Sequence, residues 1–291
     1  MQSAARLLRK EVEDYAKLLT IEMGKLFSEE PLAKPLFPGI KTESDGARIR
    51  IGARTPFYFA SSSEAKAEVE LSANIFEYYA KNAEALLAPE SLPVGNPAEG
   101  KAILVRDPLG VLLAIEPWNF PYYQIARIIA PQLSAGNTML LKHASNVPQS
   151  AAAFERLMRN AGLPNGAFKN LYAKRSQVEL ILNDPRVRGV ALTGSEDKST
   201  MELGGADAFV VLADADLDKT AKWAVFGRHG AEVARRISTG MVFVNHPTMA
   251  KADLPFGGIR NSGYGRELLG LGIKEFINHK LIDVVDIDAE F

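Results

Sequence analysis

The sequence contains no cysteine. That excludes disulfides, thiolate metal sites and any thiol nucleophile within the chain. Histidine is scarce as well. His143, His229, His246 and His279 are scattered, without metal-ligand spacing, and no metal site is expected. Charge of one sign is not in excess. The formal net charge is −1, so nothing electrostatic favours nucleic acid or an anionic membrane surface. No apolar run is long enough to cross a bilayer. The opening "MQSAARLLRKEVEDYAKLL" is charged and helical in pattern and lacks the apolar core of a signal peptide, so the expected location is the cytoplasm.

What is present fits a water-soluble globular protein: 47% of the 291 residues are hydrophobic and 24% charged, enough apolar material for a sizeable core. Length predicts one large domain or two ordinary ones. Leu7, Leu8, Val12, Tyr15, Leu18, Leu19 and Met23 recur at helical spacing and predict a helix over 2–27. Residues 28–62, rich in proline and glycine, read as an insertion or a long loop with a hairpin, with one short alternating piece, "ARIRIGAR", as a candidate strand. Helical periodicity resumes over 63–88. From 101 onward strands and helices alternate: "KAILVRD", "GVLLAIEP", a helix over 122–136 interrupted by Pro131 and closed by Gly136, then "NTMLLKHA". A helix N-capped by Asn146 and ended by Gly162 follows, then "GAFKNLYA", "SQVELILND" and "VRGVALTGS". This alternation implies βαβ units: an α/β fold with a doubly wound, mostly parallel sheet. "AFVVLAD" and "MVFVN" read as further strands, and "FINHKLIDVVDID" as a C-terminal strand able to pair outside its own domain.

Several strand ends carry groups suited to chemistry. In "EPWNFP" (116–121), Asn119 offers an amide that can donate to an oxyanion, in the crevice where open α/β sheets bind ligands. A proline-stiffened turn with a packed Trp118 explains the same letters. In "LLKHAS" (140–145), Lys142 can reach a ribose or phosphate, or be a solvated strand-end lysine. "TGS" (193–195) can offer amides to phosphate or be a plain turn. "SGYGRE" (262–267) lacks the third glycine of a Rossmann fingerprint. Glu202, before paired glycines in "MELGG", is either a hydrogen-bonded strand-edge carboxylate or, if desolvated, a general base.

Together, "EPWNFP", "LLKHAS", "ALTGS", "MELGG" and "PFGGIRNSGYGRE" stand in the order found in the aldehyde dehydrogenase superfamily, and the wording resembles bacterial NAD(P)-dependent succinate-semialdehyde dehydrogenases. The resemblance covers most of the chain. It implies a Rossmann-like cofactor domain over 1–230, with 28–62 inserted and 95–107 an oligomerisation strand. It leaves 231–291 as a remnant catalytic segment whose "LIDVVDI" supports a homo-oligomer. The implied site places Asn119 as oxyanion donor and Glu202 as general base. Pro117, Trp118, Lys142, Ser145, Gly194 and Ser195 surround the cofactor. Ser145 stands where NAD-preferring members carry a glutamate, so NADP is favoured over NAD. The implied substrate is a small aldehyde such as succinate semialdehyde, with no nucleic-acid or membrane partner.

The sequence departs from that pattern in three places. The family's catalytic cysteine follows a "WAVFGRH"-like helix, but here "WAVFGRHG" runs directly into "AEVARRISTG". The nucleophile, most of its domain and the family's glutamate-x-phenylalanine-glycine-proline motif are absent. The helix expected after "TGS" is reduced to "EDK", and 28–62 has no counterpart. The resemblance therefore implies an aldehyde dehydrogenase by descent whose activity is impaired. The alternative is an inactive nucleotide-binding or oligomerising remnant, or a recombined chain.

Overall fold

The computed structural model describes residues 1–23, 64–94, 100–194, 234–243 and 249–285. The readings of the 28–62 insertion and of "AFVVLAD", and the site residues Ser195 and Glu202, lie outside the described residues. The predicted N-terminal helix is two helices, α1 (Gln2–Lys10) and α2 (Val12–Met23), jointed at Glu11. They bury Ala4, Ala5 and Leu8, then Tyr15, Ala16 and Leu19. Helix α3 (Glu64–Leu87) packs beside both.

The centre is a four-stranded parallel sheet in the order β5-β4-β3-β6. Its strands are β3 (Val111–Glu116), β4 (Thr138–His143), β5 (Phe168–Asn170) and β6 (Val187–Leu192). Leu112, Leu113 and Ala114 are fully buried, as expected of an apolar run covered on both faces. Between the strands run α4 (Pro121–Ser134), α5 (Pro148–Asn160) and α6 (Arg175–Leu182). The α/β, parallel-sheet expectation holds. "GAFKNLYA" is shorter than predicted, only three residues as β5. Residues 241–243 of "MVFVN" carry no strand.

Two local expectations are corrected. Pro131 does not interrupt α4. It removes one N–H from the ladder, but only about one turn remains before Gly136, whose φ of +94° ends the helix in the left-handed region. Asn146 is not the N-cap of α5. Val147 is, and the free amides are satisfied from elsewhere.

A second, antiparallel sheet joins β1 (Glu90–Leu92), β2 (Lys101–Pro108) and β7 (Ile277–Val284) in the order β1-β2-β7, with Lys101 opposite Val284 and Pro108 opposite Ile277. The C-terminal segment thus returns to the first half of the chain. Buried amides fasten it. Gln132 Nε2 donates to the Gly272 carbonyl at 2.8 Å, within the short helix α7 (Leu269–Gly272), and Asn137 Nδ2 donates to the Phe276 carbonyl at 2.9 Å. Phe276 lies against β6, where a Cβ on Gly189 would come within 2.9 Å of its ring. No helix among the described residues is long and apolar enough to cross a membrane.

Candidate active site

Parallel pairing brings the C-terminal ends of β4, β3 and β6 side by side. Glu116 pairs with His143, Ile115 pairs with Leu192, and Thr193 N–H donates to the Ile115 carbonyl at 3.0 Å. Every predicted site residue within the described chain leaves from this edge. Pro117, Trp118 and Asn119 follow β3, Lys142 and Ser145 close β4, and Gly194 follows β6.

The first loop presents its functional groups outward. Trp118 is 54% exposed, so it is not the packed residue of an ordinary turn. Asn119 is also exposed, and its Oδ1 accepts from Gln124 Nε2 at 3.2 Å. Ser145 is exposed and Lys142 half-buried, because alternation along β4 sends His143 and Lys142 to opposite faces. His143 is buried and bridges the two loops. Its Nε2 meets the Pro121 carbonyl at 3.0 Å, and its Nδ1 accepts from Ala144 N–H at 2.8 Å. That pair of contacts requires the neutral ring with the proton on Nε2. Burial pushes its pKa down to about 4, against the opposing pull of the Pro121 and Glu116 backbone.

The helix starts that open onto this edge are already neutralised. Buried Glu68 of α3 accepts from the Tyr122 and Tyr123 amides of α4 at 2.8 and 3.2 Å. Glu22 of α2 accepts from the Gln149 and Ser150 amides of α5 at 2.8 and 2.9 Å, and from Ser150 Oγ at 2.6 Å. A carboxylate on the positive end of a helix removes its attraction for another anion. At the end of β6, Gly194 is open, and a Cβ there would meet nothing within 4 Å. Glu68→Ala is expected to cost about 1–2 kcal/mol by freeing buried amides, read as a fall in the urea midpoint.

Behind the loops lies a buried ionic cluster that the sequence reading missed. Arg127 of α4, 2% exposed, pairs with Glu267 at 2.8 Å, donates to Thr193 Oγ1 at 2.5 Å and lies 4.0 Å from buried Glu116. Its guanidinium also sits over the Tyr123 and Phe256 rings, 5.2 and 5.3 Å from their centroids. Phe256 and Glu267 exchange backbone hydrogen bonds, so "PFGGIRNSGYGRE" closes as a loop over Arg127. Arg127, Thr193, Phe256, Gly257 and Glu267 help line a cavity of ≈ 260 Å³. Asn119, Trp118, Lys142 and Ser145 do not line it. The available signal was one arginine inside the otherwise apolar "IARIIAP", four residues after Tyr123 and so on its face.

The protein-family model described as the aldehyde dehydrogenase family matches residues 60–232 and 228–282. The chain belongs to the aldehyde dehydrogenase family. Among relatives of this family, the succinate-semialdehyde dehydrogenase [NADP(+)] 1 of Mycobacterium ulcerans is 40% identical over 240 residues, covering 78% of this chain and 45% of the relative. The succinate-semialdehyde dehydrogenase [NADP(+)] of Deinococcus radiodurans is 28% identical over 439 aligned positions, covering 97% of this chain and 84% of the relative. The alignment is longer than the 291-residue chain, so it spans the relative with large gaps. The chain spans less than half the length of the mycobacterial relative. Among solved structures, succinic semialdehyde dehydrogenase from Streptococcus pyogenes in complex with NADP+ superposes with a TM-score of 0.79 at 26% identity, covering 98% of this chain and 89% of that one.

Proposed function

We propose that this chain is an aldehyde oxidoreductase by descent, of the NADP-dependent succinate-semialdehyde type. It keeps a dinucleotide site across the ends of β4, β3 and β6, and its turnover is impaired for want of a thiol. The observation that carries this reading is the convergence of Asn119, Trp118, Lys142, Ser145 and Gly194 on one edge of a parallel sheet. The names of the relatives support the cofactor and the substrate class.

The residues present fit a nicotinamide dinucleotide. Lys142 and Ser145 would take the adenosine ribose, and the exposed, neutral Ser145 leaves a 2′-phosphate unopposed. With α4 and α5 capped by carboxylates, the pyrophosphate would lie at Gly194 and Ser195. Trp118 and Pro117 would flank the cofactor. When bound, this group supplies the hydride acceptor.

The chain's own residues have narrower tasks. Asn119 would donate to the carbonyl oxygen as negative charge develops there. Glu202 would accept a proton from the attacking group. With no cysteine anywhere in the sequence, the attack that leads to a thioester is closed, and a weaker nucleophile such as water or a hydroxyl takes its place. Loss of one member of a covalent catalytic unit costs on the order of 10⁴–10⁶ in rate. The absence of cysteine also favours a second reading, a nucleotide-binding protein without turnover. Exposed Leu281 and Val284 on the edge strand β7 support association into a homo-oligomer.

Titration of NADPH and NADH by fluorescence tests the cofactor reading. NADPH is expected to bind more tightly than NADH. Ser145→Glu is expected to weaken NADPH by roughly tenfold or more through like-charge repulsion, while sparing NADH. Equal NADPH affinity in both proteins would place the adenosine ribose elsewhere.

A further inference from the structure

An asparagine side chain has two ends. Its NH2 donates, its oxygen accepts, and rotation about the last bond exchanges them. A donor to a substrate oxygen needs the NH2 to face outward. Asn119 is exposed, and among the described residues its amide has one hydrogen bond, the 3.2 Å contact in which Gln124 Nε2 donates to its Oδ1. Gln124 lies in the first turns of α4 and is 1% exposed, so its amide is fixed by the helix and the packing around it.

The contact can be made in two senses. In the observed sense, Gln124 Nε2 donates and Gln124 Oε1 is left buried without a donor. In the reversed sense, Asn119 would donate to Gln124 Oε1, and a buried NH2 would lose its acceptor. One unsatisfied carbonyl is tolerated better than a stranded donor group. That asymmetry accounts for an otherwise costly orphan acceptor beside the loop.

From this we infer that Gln124 is the positioning residue of the site: its buried amide holds the Asn119 oxygen inward, so that the Asn119 NH2 is presented to the substrate oxygen. The inference rests on the proposed role of Asn119 as donor. Gln124 itself is buried and touches no substrate.

Side-chain amide NMR of the full chain, labelled at asparagine and assigned by loss of signal in Asn119→Asp, reads the orientation directly. In the native protein the Asn119 NH2 is expected to exchange freely with water. In Gln124→Glu the new carboxylate only accepts, so the Asn119 amide turns over. One of its hydrogens should then move downfield and exchange roughly tenfold more slowly. In Gln124→Met, which keeps the volume and removes both polar ends, no orientation is enforced, and the amide's heteronuclear NOE is expected to fall. A purely structural role would move the melting temperature and leave these signals in place. Asn119 signals that superimpose in all three proteins overturn the inference, and the methionine variant decides it if the glutamate variant does not fold. Succinate, as a product-like carboxylate, serves as the second arm. It should shift the Asn119 amide in the native protein and much less in either variant. Equal shifts in all three overturn the positioning role. No shift in the native protein overturns the donor role of Asn119, and the inference with it, even where the amide turns over.

Discussion

Arg127→Met is expected to destabilise the protein by about 3–5 kcal/mol, the cost of leaving a buried charge without its partner. Methionine keeps the unbranched stem but not the guanidinium, so a small cavity adds to the electrostatic loss. The substitution removes the cation beside Glu116, whose side chain is wholly buried, and Glu267, whose side chain is 26% exposed. It also removes the cation above Tyr123 and Phe256, worth about 0.5–2 kcal/mol when desolvated. Urea unfolding checks the total. Adding Glu267→Gln to Arg127→Met should recover part of the loss, because one of the two carboxylates that faced the cation is then neutral. A single-variant loss below about 1 kcal/mol would mean that the cluster is solvated, and that the C-terminal loop is not held by it.

Acidification is expected to weaken the fold through His143. Its folded pKa, near 4, lies below the value of 6.5 for a free histidine because burial disfavours the charged ring. Between those values the unfolded chain takes up a proton that the native protein refuses. The stabilisation is therefore present above about pH 6.5 and is lost as pH falls through 4. A shift of this size amounts to about 3 kcal/mol. Protonation would also turn Nδ1 from an acceptor into a donor facing the Ala144 N–H. The two loops that His143 joins would part, one carrying Asn119 and the other Ser145. His143→Gln removes the titration. Its unfolding free energy should fall by about 2–3 kcal/mol less than that of the native protein between pH 7 and pH 4.5. Parallel curves for the two proteins would show that His143 titrates normally.

These two predictions concern residues to which the sequence reading gave no role, and the reason is range. Strands β3 and β4 were legible because an apolar run bounded by turn residues has few other readings. The ends of α4 and α5 were legible where the signal is local: Gly136 and Gly162 at φ of +94° and +91°, and Pro148 in the first turn. The caps of those helices were not, because the carboxylates come from Glu68 and Glu22, 54 and 127 residues before the amides they meet. Asn146 satisfied the local rule and lost to a distant carboxylate. Pro131 obeyed its rule weakly, since it sits where few helical bonds remain to be broken.

The candidate site divides the same way. Asn119, Lys142 and Gly194 were marked by their place at strand ends and Ser145 by the family resemblance, and the sheet order set those strand ends side by side. Arg127 and Glu267 meet only because the C-terminal segment folds back over α4. No local pattern announces such a pair. Glu202 lies outside the described residues, so its relation to Asn119 belongs to the proposed mechanism alone.

The most direct test of the account is the rate at which the purified chain forms NADPH from succinate semialdehyde and NADP, under conditions where NADPH binding has been demonstrated. Typical enzymes turn over at about 1–10³ s⁻¹. The account predicts a rate at least roughly 10⁴-fold lower, because no residue of the chain can form a thioester. Turnover in the ordinary range, abolished by Glu202→Gln, would contradict it and show that the retained site oxidises aldehydes without sulfur.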